Sequence, residues 1–242
     1  MHGPYNELPP LPSALEDFYQ QLDACRRVSE IDDRSFILTS RLLEWFREHP
    51  NKDPGAKGTN AGRVLNAVYG TEDAGPNIIS RLIFHMGDLD DKCWLRTFTV
   101  LLQLTGPKGN MGKFINRFYS LDVLDKYLPM GKNDLYSKIL SMGFADEEAA
   151  GFAMKFWELQ WELYAHKAFH EAYDQIYAAG EMILPITTKV SLKEGGAGTI
   201  FGIEVPCECI PPSLSSKIKK SPYTKEDEDG NPEGEVCGAW IG

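Results

Sequence analysis

The run Trp94-Leu95-Arg96-Thr97-Phe98-Thr99-Val100-Leu101-Leu102-Gln103-Leu104 is apolar on most of its sides. A helix of this composition has no polar face to turn toward solvent, so the run predicts a buried central helix. The segments before and after it repeat their apolar residues mostly at helical spacing. We therefore predict a mainly α protein in which a multi-helix bundle surrounds this run.

Capping and proline signals mark helix ends in the first part of the chain. Ser13 and Glu16 have the spacing of a capping box, which predicts a helix from Ser13 to about Val28. A second apolar stripe extends from Phe36 to Phe46 and ends before Pro50, because proline disfavours helix in the residue before it. Further helices are predicted at 61–69, 76–87, 90–105, 111–127, 134–142 and 146 to about 178.

The character of the sequence changes near residue 182, where Pro, Gly and β-branched residues become frequent. Within 192–205, a glycine cluster is followed by an alternating β-branched run, which predicts a short antiparallel β-hairpin. From Pro211 the chain is polar, and 225–232 is an acidic segment typical of solvated loops or disordered tails. The predicted organisation is a helical domain at 1–182, a hairpin at 183–210 and a polar, disordered tail at 211–242.

The composition of the 242 residues argues against several classes of protein. A net charge of −10 offers no basic footprint for nucleic acid. No run of eighteen apolar residues occurs, and the first residues lack the charged-then-apolar order of a signal peptide. The five cysteines are odd in number and scattered, which indicates neither a disulfide framework nor secretion. We therefore expect a cytoplasmic protein that binds neither nucleic acid nor a membrane.

The segment from Gly106 to Phe114 is similar to a P-loop but departs from it at two positions. In P-loop register the first glycine falls on Pro107, which has no N–H to offer a phosphate. Phe114 stands where a Ser or Thr would hold Mg²⁺. A loop between helices is the better interpretation, with Lys113 as the alternative candidate for a phosphate contact.

His166 and His170 lie four residues apart, so on a helix they share one face. Glu162 and Asp174 extend that face, and the four side chains offer imidazole and carboxylate groups to a metal ion. No zincin glutamate separates the histidines, and no cysteine is near in sequence. A solvated or partly packed helix face is the interpretation we prefer to a metal site.

Two other patterns are interpreted as packing. Cys207 and Cys209 lie two residues apart in a strand-like run, so both thiols are expected on one face, buried as small apolar groups. A row of aromatic residues at helical spacing predicts a core seam, although an exposed part of it could meet a protein partner. The row consists of Phe152, Phe156, Trp157, Trp161 and Tyr164.

Several segments together carry a family resemblance. The chain contains Phe156-Trp157-Glu158-Leu159-Gln160-Trp161-Glu162-Leu163, then Ile183-Leu184-Pro185-Ile186, and then the glycine cluster. This order resembles the N-terminal part of fungal kinase-like proteins, in which a helical region with a Gln-Trp helix continues through an Ile-Leu-Pro linker into a kinase N-lobe. The segments 96–102 and Leu128-Pro129 also resemble that helical region. The resemblance implies that 183–210 is a partial N-lobe hairpin.

The resemblance also implies weak candidates for nucleotide binding. In protein kinases a glycine-rich loop covers the phosphates of ATP. Gly195 and Gly198 match the second and third glycines of that loop, Gly196 lies between them, and Ile200 matches its valine.

The chain departs from the kinase pattern at the other positions. Lys193 replaces the first glycine and Ala197 the aromatic residue at the tip, and both changes weaken a lid over a nucleotide. No Val-Ala-Ile-Lys strand, His-Arg-Asp loop or Asp-Phe-Gly motif occurs, and Lys217, Lys219 and Lys220 lie in a polar segment. We therefore predict no catalytic residues and no obligatory cofactor, while the glycine loop leaves ATP with Mg²⁺ as an alternative.

Three interpretations of function follow. The first is a non-catalytic helical regulatory or protein-interaction domain associated with a fungal-type kinase, truncated before the catalytic residues. Its partner would be an adjacent kinase domain or another protein. The second is an ATP-binding protein that uses the degenerate glycine-rich loop. The third is a truncated gene product with no function of its own.

Overall fold

The structure is a computed structural model that describes residues 13–50, 58–69, 93–106, 111–174, 181–195, 198–210, 219–220 and 236–241. The chain divides by packing into two compact units. Unit 1 comprises Met1–Ala24 and Arg41–Gln160, and unit 2 comprises Cys25–Ser40 and Trp161–Gly242, each in its described part.

The described elements confirm a mainly α fold with a C-terminal antiparallel hairpin. The α-helices are α1 Ser13–Ala24, α2 Thr39–Arg47, α3 Asn60–Tyr69, α4 Leu95–Thr105, α5 Met111–Ser120, α6 Lys132–Ser141 and α7 Asp146–Asp174. Short 3-10 helices occur at Asp125–Tyr127 and Cys207–Cys209. The strands are β1 Arg26–Val28, β2 Ser35–Ile37, β3 Thr188–Gly195, β4 Gly198–Pro206, β5 Lys219–Lys220 and β6 Val236–Ile241. β1 pairs with β2, and the others form an antiparallel sheet in the order β3-β4-β6-β5.

The core of unit 1 contains α4, as the sequence predicts. Phe98 and the run Val100 to Leu102 are fully buried, and the polar neighbours Thr97 and Thr99 are buried as well. The Thr99 hydroxyl donates to the carbonyl of Leu95 one turn earlier, which satisfies it inside the core. Burial on so many sides explains why the run carries almost no charge.

Aromatic side chains join α1, α2 and α4 in unit 1. The ring centroids of Phe18 and Phe46 are 5.9 Å apart, and those of Phe46 and Phe98 are 6.4 Å apart. All three rings are fully buried. Trp94, which precedes α4, packs edge-on against Tyr119 of α5 at 4.8 Å. Contacts of this kind add to the stabilisation that burial of the rings supplies.

The N-terminus of α4 is capped by a distant carboxylate. The buried Asp125 accepts hydrogen bonds from the backbone N–H groups of Arg96 and Thr97, both at 2.9 Å. The first N–H groups of a helix have no partner within it, and a negative charge there also suits the helix dipole. Asp125 therefore defines where α4 begins, whereas the sequence predicts a start at residue 90; residues 90–92 lie outside the described part.

The first predicted helix ends earlier than expected, at Ala24, because Arg26 to Val28 form β1. The Arg26 guanidinium donates to Glu162 Oε2 at 2.7 Å and to Ser35 Oγ at 3.2 Å. The Ser35 hydroxyl in turn donates to Glu162 Oε1 at 2.9 Å. This three-residue network holds the β1–β2 hairpin to the second half of α7 within unit 2.

Other predicted helix limits are corrected as well. The stripe from Phe36 to Phe46 is divided between β2 and α2, because Phe36 and Leu38 pack with Ala165 and Ile183 in unit 2. The helix predicted at 111–127 ends at Ser120, followed by a turn in which Asp122 has a left-handed φ of 50°. The helix predicted at 76–87 and the end predicted near 178 lie outside the described residues.

The sheet of unit 2 is larger than the predicted hairpin. β5 and β6 belong to the predicted tail at 211–242, which corrects the prediction of disorder for these two strands. β6 has the sequence Val-Cys-Gly-Ala-Trp-Ile, and a run this apolar suits an inner strand that pairs on both sides. The acidic segment at 225–232 lies outside the described residues, and the functional division at 182 and 210 stays a prediction.

Two helical glycines are expected to respond in opposite ways to alanine. A Cβ on Gly112 would lie 2.8 Å from the carbonyl oxygen of Val68 and 3.0 Å from the ring of Tyr69. We expect Gly112→Ala to lower the free energy of unfolding by about 1 to 3 kcal/mol, because backbone atoms of α3 would have to move. A Cβ on Gly151 meets nothing within 4 Å, so Gly151→Ala should raise stability by about 0.5 to 1 kcal/mol. Urea denaturation of both variants tests this, and a Gly112→Ala protein as stable as the parent contradicts it.

Candidate functional site: the glycine-rich hairpin

The predicted glycine-rich loop connects β3 to β4. Gly195 and Gly198 form the last backbone pair of the hairpin, and Ile200 pairs with Lys193. Gly196 and Ala197, the two residues between the glycines, lie outside the described part of the chain. A two-residue connection between antiparallel strands usually requires positive φ angles, which glycine adopts without steric cost.

The hairpin has one buried and one exposed face. Ile203 and Val205 of β4 are buried together with Ile186, Cys209 and Ile210. On the other face, Val190 of β3 is 52% exposed. Phe201 packs at the margin of the buried cluster, and the Lys189 ammonium lies 4.2 Å from the centre of its ring. The register of β3 shifts between Ser191 and Lys193, which is a bulge next to the position of the missing first glycine.

The loop between β1 and β2 holds the Ile-Leu-Pro segment that leads into β3. The Arg34 guanidinium donates to the carbonyl oxygens of Glu181 at 2.8 Å and Met182 at 2.5 Å, and its Nε donates to Asp32 Oδ2 at 2.7 Å. The planar guanidinium presents several N–H donors at once, so one side chain fixes both the loop and the segment. The backbone N–H of Glu30 also donates to the carbonyl of Ile186 at 2.8 Å.

The outer edge of β3 is covered at its start. The backbone N–H of Lys189 points away from β4 and donates to Glu30 Oε2 at 2.6 Å. Sheet edges with unsatisfied N–H groups tend to pair with other chains, and a carboxylate at the edge reduces that tendency. Glu30 and Arg34 carry no signal in the sequence, because their partners are more than a hundred residues away.

The lysine strand of a kinase N-lobe is not found beside the described hairpin. The strand next to β4 on its free side is β6, which contains no lysine. Lys219 and Lys220 form β5, and their backbones pair with Gly238 and Cys237 of β6, one strand farther from the glycines. Lys217 lies outside the described residues. In the described part, β6 therefore stands between these lysines and the glycine-rich hairpin.

The segment that is similar to a P-loop follows a helix. Gly106 ends α4 with a left-handed φ of 52°, and its N–H donates to the carbonyl of Leu102. Residues 107–110 lie outside the described part, and Lys113 belongs to α5. A true P-loop follows a β-strand, so the structure agrees with the interpretation as a connection between helices.

The histidine pair lies on α7, as the spacing predicts. The side chains of His166, His170 and Asp174 are outside the described part, whereas the Glu162 carboxylate is bound by Arg26 and Ser35. Among the described side chains, no group of three or more His, Cys, Asp and Glu residues could hold a metal ion. Of the four candidate ligands, only Glu162 has a described side chain, and the preference for a helix face over a metal site stays a prediction.

The expectation for Cys207 is wrong, while that for Cys209 is confirmed. β4 ends at Pro206, and the next residues form a 3-10 turn, so the alternation of a strand does not apply to them. Cys209 is buried in the core of unit 2. Cys207 is half-buried and is bonded in a disulfide. The sequence gives no signal for this bond, because the cysteine count alone cannot reveal it.

The aromatic row on α7 is a core seam over only part of its length. Phe156 and Tyr164 are buried, while Phe152, Trp157 and Trp161 are half-buried. Trp161 packs against the cluster of Phe36, Leu38, Ala165 and Ile183 in unit 2, and the Lys132 ammonium lies 3.8 Å from the Trp157 ring centre in unit 1.

Gln160, beside that row, is fully buried in unit 1. Its Oε1 accepts from the backbone N–H of Met130 at 2.8 Å, and its Nε2 donates to the carbonyl of the same residue at 2.9 Å. The side-chain amide thereby binds both backbone groups of the residue that follows Leu128-Pro129. The Gln-Trp helix and the Leu-Pro segment, quoted separately in the resemblance, are thus in direct contact.

Comparison with known proteins identifies no relative: no protein-family model, curated protein or solved structure matches the chain. The resemblance to fungal kinase-like proteins therefore stays a prediction. None of the described helices is long and apolar enough to cross a membrane.

Proposed function

We propose that the chain is a non-catalytic helical regulatory or protein-interaction domain associated with a fungal-type protein kinase. The observation that best supports this is the connection between the Ile-Leu-Pro segment and the glycine-rich hairpin. Arg34 and Glu30 hold that segment in place directly before β3. A module of this design presents the hairpin at a defined position relative to the β1–β2 loop.

The non-catalytic part of the proposal is supported by the sequence and by the sheet order. Phosphoryl transfer in kinases needs a lysine on the phosphates, a catalytic aspartate and a metal-binding aspartate. The 242 residues contain neither a His-Arg-Asp nor an Asp-Phe-Gly motif, and β6 brings no lysine to the side of β4. We assign the chain a role in binding instead of in chemistry.

Exposed apolar side chains near the hairpin support a role in protein interaction. Ile31, next to Glu30, is 44% exposed, and Val190, next to Lys189, is 52% exposed. The hydrogen bond between Glu30 and Lys189 joins the β1–β2 loop, which carries Ile31, to β3, which carries Val190. Exposed apolar side chains that cluster are a mark of protein-binding surfaces. We assign the kinase contact to this Ile31–Val190 surface.

The kinase association is tested by calorimetric titration of the chain with a purified fungal protein kinase domain that carries its own catalytic motifs. We expect binding with a Kd below about 100 µM, and Ile31→Asp/Val190→Asp should weaken it by about tenfold or more, because two charges would be buried in the interface. The control is Leu140→Asp, which changes an apolar side chain of similar exposure in unit 1. Absence of binding by the parent protein overturns the kinase association, and equal weakening by both variants overturns the assigned surface.

ATP binding by the glycine-rich loop is the alternative function, and thermal denaturation with ATP and Mg²⁺ separates the two. A ligand that binds only the folded state stabilises it by RT ln(1 + [L]/Kd), so the melting temperature rises with ligand concentration. We expect no rise at millimolar ATP. A rise that grows with ATP concentration and disappears in Gly195→Val/Gly198→Val would replace the proposed function with nucleotide binding.

A further inference from the structure

The outer side of β3 is an edge of the sheet in unit 2. Among the described strands, β3 pairs only with β4, and β6 and β5 follow on the far side of β4. Lys189, Val190 and Ser191 are all exposed, and a bulge follows Ser191. Unpaired N–H and C=O groups at such an edge form a template to which another strand can be added.

Lys189 and Ser191 direct their backbone groups to this outer side. Successive residues of a strand direct their N–H and C=O groups to alternate edges, and the Lys189 N–H donates outward to Glu30. Val190, between them, pairs with Gly202 of β4 on the inner side. The alternation holds as far as Ser191, because the bulge lies beyond it. The N–H and C=O groups of Lys189 and Ser191 thus lie along the edge.

This edge is complementary to a second copy of itself. In an antiparallel pair of β3 strands centred on Val190, Lys189 lies opposite Ser191 of the second copy, and the two residues can exchange both of their hydrogen bonds. The same exchange occurs on the other side of the twofold axis. Val190 then faces Val190 of the second copy, so two side chains that are each 52% exposed in the single chain cover one another.

The charges favour this register over the neighbouring one. A shift that places Lys189 opposite Lys189 of the second copy brings two like charges together across the strands, which is destabilising. In the register centred on Val190, each Lys189 faces the uncharged Ser191 instead. The bulge after Ser191 limits the pairing to 189–191, because a bulge bends the strand and interrupts its ladder of hydrogen bonds.

We propose that Glu30 keeps this edge closed to a second copy of the chain, and that loss of its carboxylate lets two copies pair through β3. Glu30 Oε2 lies 2.6 Å from the Lys189 nitrogen and therefore occupies an N–H group that the pairing requires. Because the pair is symmetric, the carboxylate blocks the same hydrogen bond on both copies. The backbone N–H of Glu30 donates to the carbonyl of Ile186 at 2.8 Å, which holds Glu30 beside β3. The inference does not depend on the proposed kinase association.

The experiment measures self-association of the full chain by sedimentation equilibrium. We expect Glu30→Ala to lower the dissociation constant of the dimer by about tenfold or more relative to the parent, because one donor on each copy is released for pairing. In this variant the Ser191 amide should also exchange with solvent more slowly as the protein concentration rises, since only the dimer supplies it with an acceptor. Glu30→Ser, whose side chain is too short to reach the Lys189 N–H, should behave in the same way.

The control is Asp33→Asn, which removes a carboxylate from the same loop and leaves the Glu30–Lys189 hydrogen bond in place. Asn tolerates the left-handed φ of 57° at this position, so the variant should associate no more tightly than the parent. Adding Val190→Asp to Glu30→Ala places like charges opposite each other at the centre of the pair and should abolish the added association.

Three results overturn the proposal. The first is a folded Glu30→Ala or Glu30→Ser protein that associates no more tightly than the parent. The second is a gain in Asp33→Asn equal to that in Glu30→Ala, which would assign the effect to net charge. The third is a dimer of Glu30→Ala that persists with Val190→Asp, or whose Ser191 amide exchanges at the same rate at every protein concentration.

Discussion

Replacing Phe156 with alanine is expected to lower the free energy of unfolding by about 4 kcal/mol. Phe156 is fully buried in unit 1, and its ring stacks on that of Phe118 with centroids 5.3 Å apart and planes 18° apart. The alanine would leave a cavity between α5 and α7 and remove one half of the stacked pair. Urea denaturation followed by tryptophan fluorescence measures the change.

The neighbouring residue Trp157 supplies a matched control on the same helix. Trp157 is half-buried, and its ring contacts the ammonium of Lys132 at 3.8 Å. Loss of that cation–π contact and of partial burial should cost about 1 to 2 kcal/mol in Trp157→Ala. If both alanine variants lose the same stability, or if Phe156→Ala loses less than Trp157→Ala, the assignment of Phe156 to the core is incorrect.

Gln160→Ala is the second large effect, with an expected loss of about 3 kcal/mol. The alanine leaves the N–H and the carbonyl of Met130 without the side-chain amide that binds both in the parent protein. Each buried backbone group that loses its hydrogen bond costs about 1 to 3 kcal/mol, and a small cavity adds to this.

The control for Gln160 is Glu158→Ala, which changes an exposed side chain two residues earlier on α7 and should alter stability by less than about 0.5 kcal/mol. Hydrogen exchange adds a local measurement, since the amide of Met130 should exchange faster in Gln160→Ala and unchanged in Glu158→Ala. A slow Met130 amide in Gln160→Ala would show that another group protects it, and would contradict the assigned role.

Features that depend on neighbouring residues could be predicted from the sequence. The run at 94–104 is apolar on most sides, and the structure places it in a core. The glycine cluster at 195–198 demands a tight turn, and the structure forms a hairpin there. Both inferences need only local propensity and periodicity, which are the most reliable signals in a single sequence.

Features that depend on distant partners could not be predicted in this way. Asp125 caps the start of α4 from 28 residues beyond Thr97. Arg26 of β1 binds Glu162 of α7 at a separation of 136 residues. In the candidate site, nothing near Glu30 and Arg34 in sequence distinguishes them from other charged residues. Arg34 binds the carbonyl of Glu181, and Glu30 binds the N–H of Lys189, and both partners lie far along the chain. β6 could not be predicted for the same reason, because a short strand in a polar tail is stabilised by its pairing with the distant strand β4.

The division of the chain has a consequence for its synthesis. Unit 1 is interrupted between Ala24 and Arg41 by residues that belong to unit 2. When a ribosome has released the chain as far as Gln160, every residue of unit 1 is available, yet Phe36 and Leu38 still lack Ala165 and Ile183, against which they pack. Domains of nascent chains generally fold as units, in order of emergence. The apolar side chains of Cys25–Ser40 therefore remain exposed until their packing partners, more than a hundred residues later in the chain, have been translated.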